Sequence, residues 1–316
     1  FIFCLTAQNI MAQRGKLFNS DNQLSSNFAT QVFQDSNGFI WIATRNGLNI
    51  YDGYNFTTIR KTKEDDRGLS SNYINCITQD IQGHILLGTN NSLLLYNGKS
   101  FANIPLLDSK NQPISTYVTQ VYRLKSNDIA VVTSGYGIML KKENAEVCYA
   151  MKGEVENLKF IHKILEDKQD RLWIILENGK LYRADKKGKL VKQIPGAETL
   201  EAQDIRQDNK GNIYLATKND GVYLLKAGST VFTKIAGIGN LPIDNIYISR
   251  DQRLFIGCDG MGIFVYNPVT GFLQNNPLFS RKVNLAKSKI TSIIEDFTGN
   301  IWVSMLQKGV FMQSQA

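Results

Sequence analysis

The side chains in this sequence best placed to do chemistry are aromatic rings interleaved with amides and charges, not paired acids or a nucleophile with its base. Phe28, Tyr73, Tyr117 and Phe160 recur at near-regular intervals, each just ahead of an apolar run. Short segments bounded by glycine carry Arg45, Asn46, Tyr136, Asn178, Lys218, Asp220 and Lys308. A flat apolar ring beside a few convergent polar groups suits a carbohydrate or a peptide. The predicted ligand-binding set is therefore Arg45, Asn46, Tyr73, Tyr117, Tyr136, Asn178, Lys218, Asp220 and Lys308, and the expected ligand is an oligosaccharide or another small extracellular molecule.

Other chemistries lack their residues. The two histidines, His84 and His162, have no partners at metal-ligand spacing. His162 falls in a column otherwise filled by Thr30, Asn75, Thr119, Gln203, Asp244 and Thr291, which reads as polar lining of a central channel. The sequence has no G-x-S-x-G, P-loop or dinucleotide fingerprint. Asp65 and Asp66 sit in a polar insertion where solvation is the default. The expectation is a chain with no catalytic site, no cofactor and no metal. Cys76, Cys148 and Cys258 fall on different repeats and strands, so they are expected to be buried thiols rather than disulfides or metal ligands.

The elements that must position the aromatic and polar sets come from an internal repeat. Taking Gly38 as anchor, the counterparts are Gly83, Asn127, Asp170, Gly211, Gln252 and Gly299, spaced 41–47 residues apart. An acid stands three residues earlier at Asp35, Asp80, Asp167, Asp208 and Asp296, while Leu124 and Ser249 break the column. An Asp there can accept the amides of the turn it precedes, a structural role. After each anchor comes an apolar run beginning Ile40, Ile85, Ile129, Leu172, Ile213, Leu254 and Ile301, as for a strand buried on both faces. A mostly small column, Ala43, Gly88, Val132, Ile175, Ala216, Gly257 and Ser304, fits close packing of neighbouring units. A second turn column holds Gly47, Ser92, Gly137, Gly179, Gly221, Gly262 and Gly309, where a tight hairpin demands positive φ.

Four short strands per repeat and a period of this size predict an all-β, seven-bladed β-propeller of four-stranded antiparallel blades. The last repeat lacks an outer strand. The segment Lys16–Asn19 is predicted to supply it by pairing with Val310 to Met312, which closes the ring and removes a sheet edge. Residues 13–316 are then one domain. Residues 1–12, apolar and ending in small residues, read as the remnant of a secretory signal or an N-terminal tail. The net charge is +8, but the basic residues are scattered and no helical pattern could enter a groove, so no nucleic-acid partner is expected.

The stretches Gln34-Asp-Ser-Asn-Gly-Phe-Ile-Trp-Ile-Ala-Thr-Arg-Asn-Gly-Leu48 and Gly68-Leu-Ser-Ser-Asn-Tyr-Ile-Asn-Cys-Ile-Thr-Gln-Asp80 closely resemble the two-component regulator propeller repeat. The resemblance covers residues 17–313 and is strongest in the first, second, fifth and seventh repeats. The third lacks both the Asp and the aromatic, and the sixth lacks the Asp. It implies the periplasmic sensor region of a hybrid two-component receptor: exported, inner-membrane anchored in the full-length protein, and followed by a β-sandwich, a membrane helix and a histidine kinase. It also implies a glycan-derived ligand, the downstream domains of the same receptor as partners, and a homodimer in the full-length protein. The motif carries blade structure, so it transfers no binding residue to this sequence. Two other classes compete: a secreted propeller lyase acting on a carbohydrate or lactone, which would need a His and acidic metal cluster, and a protein-binding scaffold propeller.

Overall fold

The computed structural model describes residues 15–63, 68–185, 187–275 and 284–314. The 1–12 segment, Cys4 and the Asp65–Asp66 pair lie outside the described residues. The chain forms seven sheets in succession, each built on antiparallel strands that step outward from an inner strand. The inner strands are Ala29–Gln34, Ile74–Gln79, Tyr117–Arg123, Ile161–Glu166, Ala202–Gln207, Ile243–Ile248 and Lys289–Glu295. The described helical residues are two single turns, Glu154–Asn157 and Leu285–Lys287. The fold is the predicted seven-bladed propeller.

Turn chemistry explains why each blade forms where it does. All seven anchor residues have positive φ, including the non-glycines Asn127, Asp170 and Gln252. Asp35 shows what the acid column does. Its Oδ1 accepts the amides of Asn37 and Phe39 at 2.9 Å each, and its Oδ2 accepts the Trp41 indole N–H at 2.8 Å. Asp167 with Trp173 and Asp296 with Trp302 repeat the arrangement, each with the indole bond at 2.8 Å. In the second blade His84 Nδ1 stands 2.9 Å from Asp80 Oδ2, in the place of the indole.

The small column does what its size allows. A Cβ on Gly88 would lie 2.6 Å from a Val118 methyl, and one on Gly257 would lie 2.8 Å from Ile290, both on the next inner strand. The turn column departs from the prediction in one repeat. Ser92 is not among the positive-φ residues, because the Thr89 hydroxyl accepts the Ser92 amide at 2.9 Å and organises that turn instead.

The ring closes as expected. Gly15–Phe18 pairs with the last strand in the register Lys16↔Met312, Leu17↔Phe311 and Phe18↔Val310. Phe18 is fully buried and stacks on Trp302 with centroids 5.7 Å apart, so the closing strand also completes the apolar cluster shared by the first and last blades.

The third blade has its four strands and gains two more at its outer edge, making a six-stranded sheet. The loop after the second blade folds back as Leu106–Leu107 and Pro113–Ile114, with Leu106–Leu107 running parallel to the blade's outer strand, Cys148–Ala150. Leu106 enters the apolar cluster with Cys148 and Met139, covering an edge that would otherwise be open.

Candidate functional site

Each inner strand carries one bulge, and the bulges build the centre of the molecule. The register slips between Ala29 and Gln31, and at the equivalent step in all seven sheets. The skipped residue is Thr30, Asn75, Thr119, His162, Gln203, Asp244 or Thr291. These are the residues read from the sequence as channel lining, and all seven line one axial cavity of about 320 Å³. A bulge leaves its extra residue unpaired and turns its side chain, which here points seven polar groups at the axis.

The residue after each bulge stitches neighbouring blades, a role the sequence reading missed. Gln31 accepts the Ile77 amide at 2.9 Å and donates to the Ile77 carbonyl at 3.2 Å. Gln120 does the same to Ile164, at 2.8 and 3.4 Å. Asp204 accepts the Ile246 amide at 2.9 Å, Asn245 donates to the Ile290 carbonyl at 2.7 Å, and Ser292 accepts the Val32 amide at 2.9 Å. The available signal was a polar residue in a position that strand alternation alone would make apolar.

Lys163 occupies that column in the fourth blade. Its ammonium lies 3.1 Å from Asp204 Oδ1, with the lysine side chain 19% exposed and the carboxylate fully buried. Arg206 donates to the same oxygen at 2.9 Å. Burial would raise the Asp204 carboxyl, but Arg206, Lys163 and the Ile246 amide together hold it below the ordinary carboxylate range. Burial pushes Lys163 down, against the pull of Asp204.

The cavity mouth gathers part of the predicted set. The Arg45 guanidinium lies between two rings, 5.7 Å from the Phe28 centroid and 5.3 Å from that of Tyr73. Tyr73 meets Tyr117 edge-on at 6.3 Å. Burial, then the neighbouring Tyr73, push the Tyr117 phenol up to about 12, so it stays a neutral donor. Arg45 and Tyr117 line the cavity, and Lys289 and Asp244 face them, 4.0 Å apart. Burial pushes the Asp244 carboxyl up to about 6. His162, lowered to about 4 by burial and then by Lys163, is neutral at pH 7.

Asn178 and Lys218 line an adjoining pocket of about 240 Å³ between the fourth and fifth blades, which shares His162 and Gln203 with the axial cavity. The other predicted residues stand apart. Tyr136 belongs to a separate pocket with Asp108, Glu156 and Lys159. Asp220 is engaged by Lys234 and by the Tyr223 hydroxyl, the latter at 2.6 Å. The Asn46 carbonyl accepts from Arg60 at 3.3 Å, and Lys308 donates to the Asn284 carbonyl at 3.1 Å. Among the described residues no three of His, Cys, Asp or Glu are placed to hold a metal ion. Cys76, Cys148 and Cys258 are buried free thiols.

Residues 23–46 and 68–91, which carry Phe28, Arg45 and Tyr73, match the two component regulator propeller family. The extracellular domain of a hybrid two component system from B. thetaiotaomicron superposes with a TM-score of 0.82 at 21% identity, over 96% of this chain and 42% of that one. A second such domain from the same organism gives 0.73 at 16%, over 95% and 40%. The chain therefore spans about two fifths of the length of these domains. Catalytically inactive virginiamycin B lyase from Staphylococcus aureus, with quinupristin, gives 0.71 at 14%, over 96% and 99%. Identities this low establish a shared fold. No curated protein sequence matches the chain.

Proposed function

We propose that this chain is the extracytoplasmic sensor propeller of a hybrid two-component receptor, exported to the periplasm with residues 1–12 as its leader remnant and 13–316 as one domain. It takes a glycan-derived oligosaccharide at the aromatic mouth of the axial cavity. Binding is passed to the downstream domains of the same receptor, dimeric at full length, and so to a histidine kinase. The observation that carries the reading is the cluster of Phe28, Arg45, Tyr73 and Tyr117 beside a cavity lined with polar groups. Sugar C–H faces pack on rings while hydroxyls seek fixed polar partners, and the site offers both. The family match over residues 23–46 and 68–91 supports the receptor context.

The test is a thermal-shift and calorimetric screen of the purified chain against oligosaccharides. A ligand that binds only the folded state raises Tm with dose. The expected outcome is such a rise for one glycan class, lost in Tyr73→Ala and in Tyr117→Ala with the unliganded Tm within a few degrees of the parent. A flat response to every saccharide would overturn the reading. Turnover of a lactone or glycoside panel in the presence of divalent metal would replace it with the lyase alternative.

A further inference from the structure

The axial cavity carries two further features, a cation without a counter-charge among the described residues and buried polar atoms without partners. Three cations line it: Arg45, Lys163 and Lys289. Lys163 is compensated by Asp204 and Lys289 by Asp244. Arg45 has no carboxylate within ion-pair distance among the described residues, and its guanidinium rests on rings. A guanidinium on aromatic faces keeps its N–H edge free for a planar, two-oxygen acceptor.

On the cavity wall, Asn75 Oδ1, Asn245 Oδ1 and His162 Nε2 are buried with no hydrogen-bond partner. The amide orientations are set by chemistry. Asn75 Nδ2 donates to the Val118 carbonyl at 3.1 Å and Asn245 Nδ2 to the Ile290 carbonyl at 2.7 Å, so in each case the oxygen is the atom left without a donor. Asn245 is 4% exposed.

We propose that the axial cavity is a site for a sugar acid: a uronic-acid unit whose carboxylate is held by Arg45 and whose hydroxyls meet the polar lining that includes Thr119, Gln203 and Thr291. The proposal rests on the glycan reading above and narrows it to a charged class. Arg45 stands at the mouth and the polar column lines the cavity beyond it, so one ring presents its carboxylate outward and its hydroxyls inward. Tyr117, with Tyr73 edge-on to it, provides the apolar face beside them.

The experiment is isothermal titration of the purified chain with uronic-acid di- to tetrasaccharides and with the same compounds after carboxyl reduction, which keeps ring and linkage but removes the charge. The acid forms should bind, and reduction should weaken binding by about 10–100-fold, the range for a hydrogen bond to a charged group. Arg45→Gln should reproduce that loss for the acid form and weaken the reduced form by a clearly smaller factor. Lys289→Gln is a second variant with its own fold control, and its effect should be smaller because Asp244 already engages that lysine. Affinity for the acid form should also fall with salt. Equal affinity for acid and reduced forms, or no effect of Arg45→Gln, would overturn the sugar-acid proposal and leave the glycan reading standing. Binding of no saccharide from either set would overturn both.

Discussion

The joint between the first and second blades and the joint between the fourth and fifth use the same two positions of the repeat for different ends. At the first joint Thr30 donates to the Ile74 carbonyl at 2.6 Å, and Gln31 holds both backbone groups of Ile77. Every group is neutral, and one inner strand is sewn to the next. At the other joint the same positions hold His162 and Lys163. Lys163 reaches the Asp204 carboxylate, and His162 leaves Nε2 buried without a partner. The side pocket with Asn178 and Lys218 lies at this joint. Amides at this column close the wall of a propeller, whereas charges trade that closure for a polar niche open to the axial cavity.

The largest effect that would test this contrast is at Asp204. Asp204→Asn should cost about 3–5 kcal/mol in urea unfolding, because it leaves the Lys163 charge without its buried counter-ion. Adding Lys163→Gln should recover most of that loss, since the joint then carries amides as the first one does. A single-variant cost below about 1 kcal/mol would show that the ion pair is not what holds this joint.

Gln31→Ala sets the scale for the neutral joint. It strips side-chain partners from the Ile77 amide and carbonyl, and about 1–3 kcal/mol should be lost, less than at Asp204. A cost equal to that of Asp204→Asn would erase the distinction between the two joints.

The last effect is a pair of opposed pH dependences, at His162 and at Asp244. His162, depressed to about 4, binds fewer protons folded than unfolded, so its contribution rises with pH from about 4 to 6.5. Asp244, raised to about 6, binds more protons folded than unfolded. Its contribution is greatest below about 3.8 and is lost as pH rises to 6. Lys289 faces both groups, Lys163 and Asp204 lie beside His162, and Asp259 acts on Asp244. Relative to the parent, Asp244→Asn should gain stability with rising pH across 4–6, and His162→Gln should lose it. Urea midpoints at half-unit pH steps would show this. Parallel profiles for parent and variants would mean that neither group titrates with folding.

Much of the blade architecture was legible because it is written in short spacings. An Asp three residues before a positive-φ residue accepts amides two and four residues on, so Asp35 and its counterparts could be read as structural without a fold in hand. What spacing cannot carry is the second oxygen of that carboxylate, which reaches an indole six residues away on the strand beyond the turn. The site was only partly legible for a similar reason. Arg45, Tyr73 and Tyr117 stand together in the structure, since the ring places successive repeats side by side. Tyr136, Asp220 and Lys308 came from equivalent turns too. Their distance from the axis depends on how each turn leans, and the structure gives Asp220 to Lys234 and Lys308 to Asn284.

The sequence by itself determined the seven blades, the turns that bound them and the closing strand, because hydrophobic period, turn chemistry and a missing outer strand are local signals that survive without coordinates. Only the tertiary structure decided that a bulge in each inner strand is what turns the polar column to the axis, that the next column sews the blades, and that Arg45 ends without a counter-charge among the described residues. Those facts depend on which backbone amide of a neighbouring blade lies within 3 Å, and a ring must close before that neighbour exists.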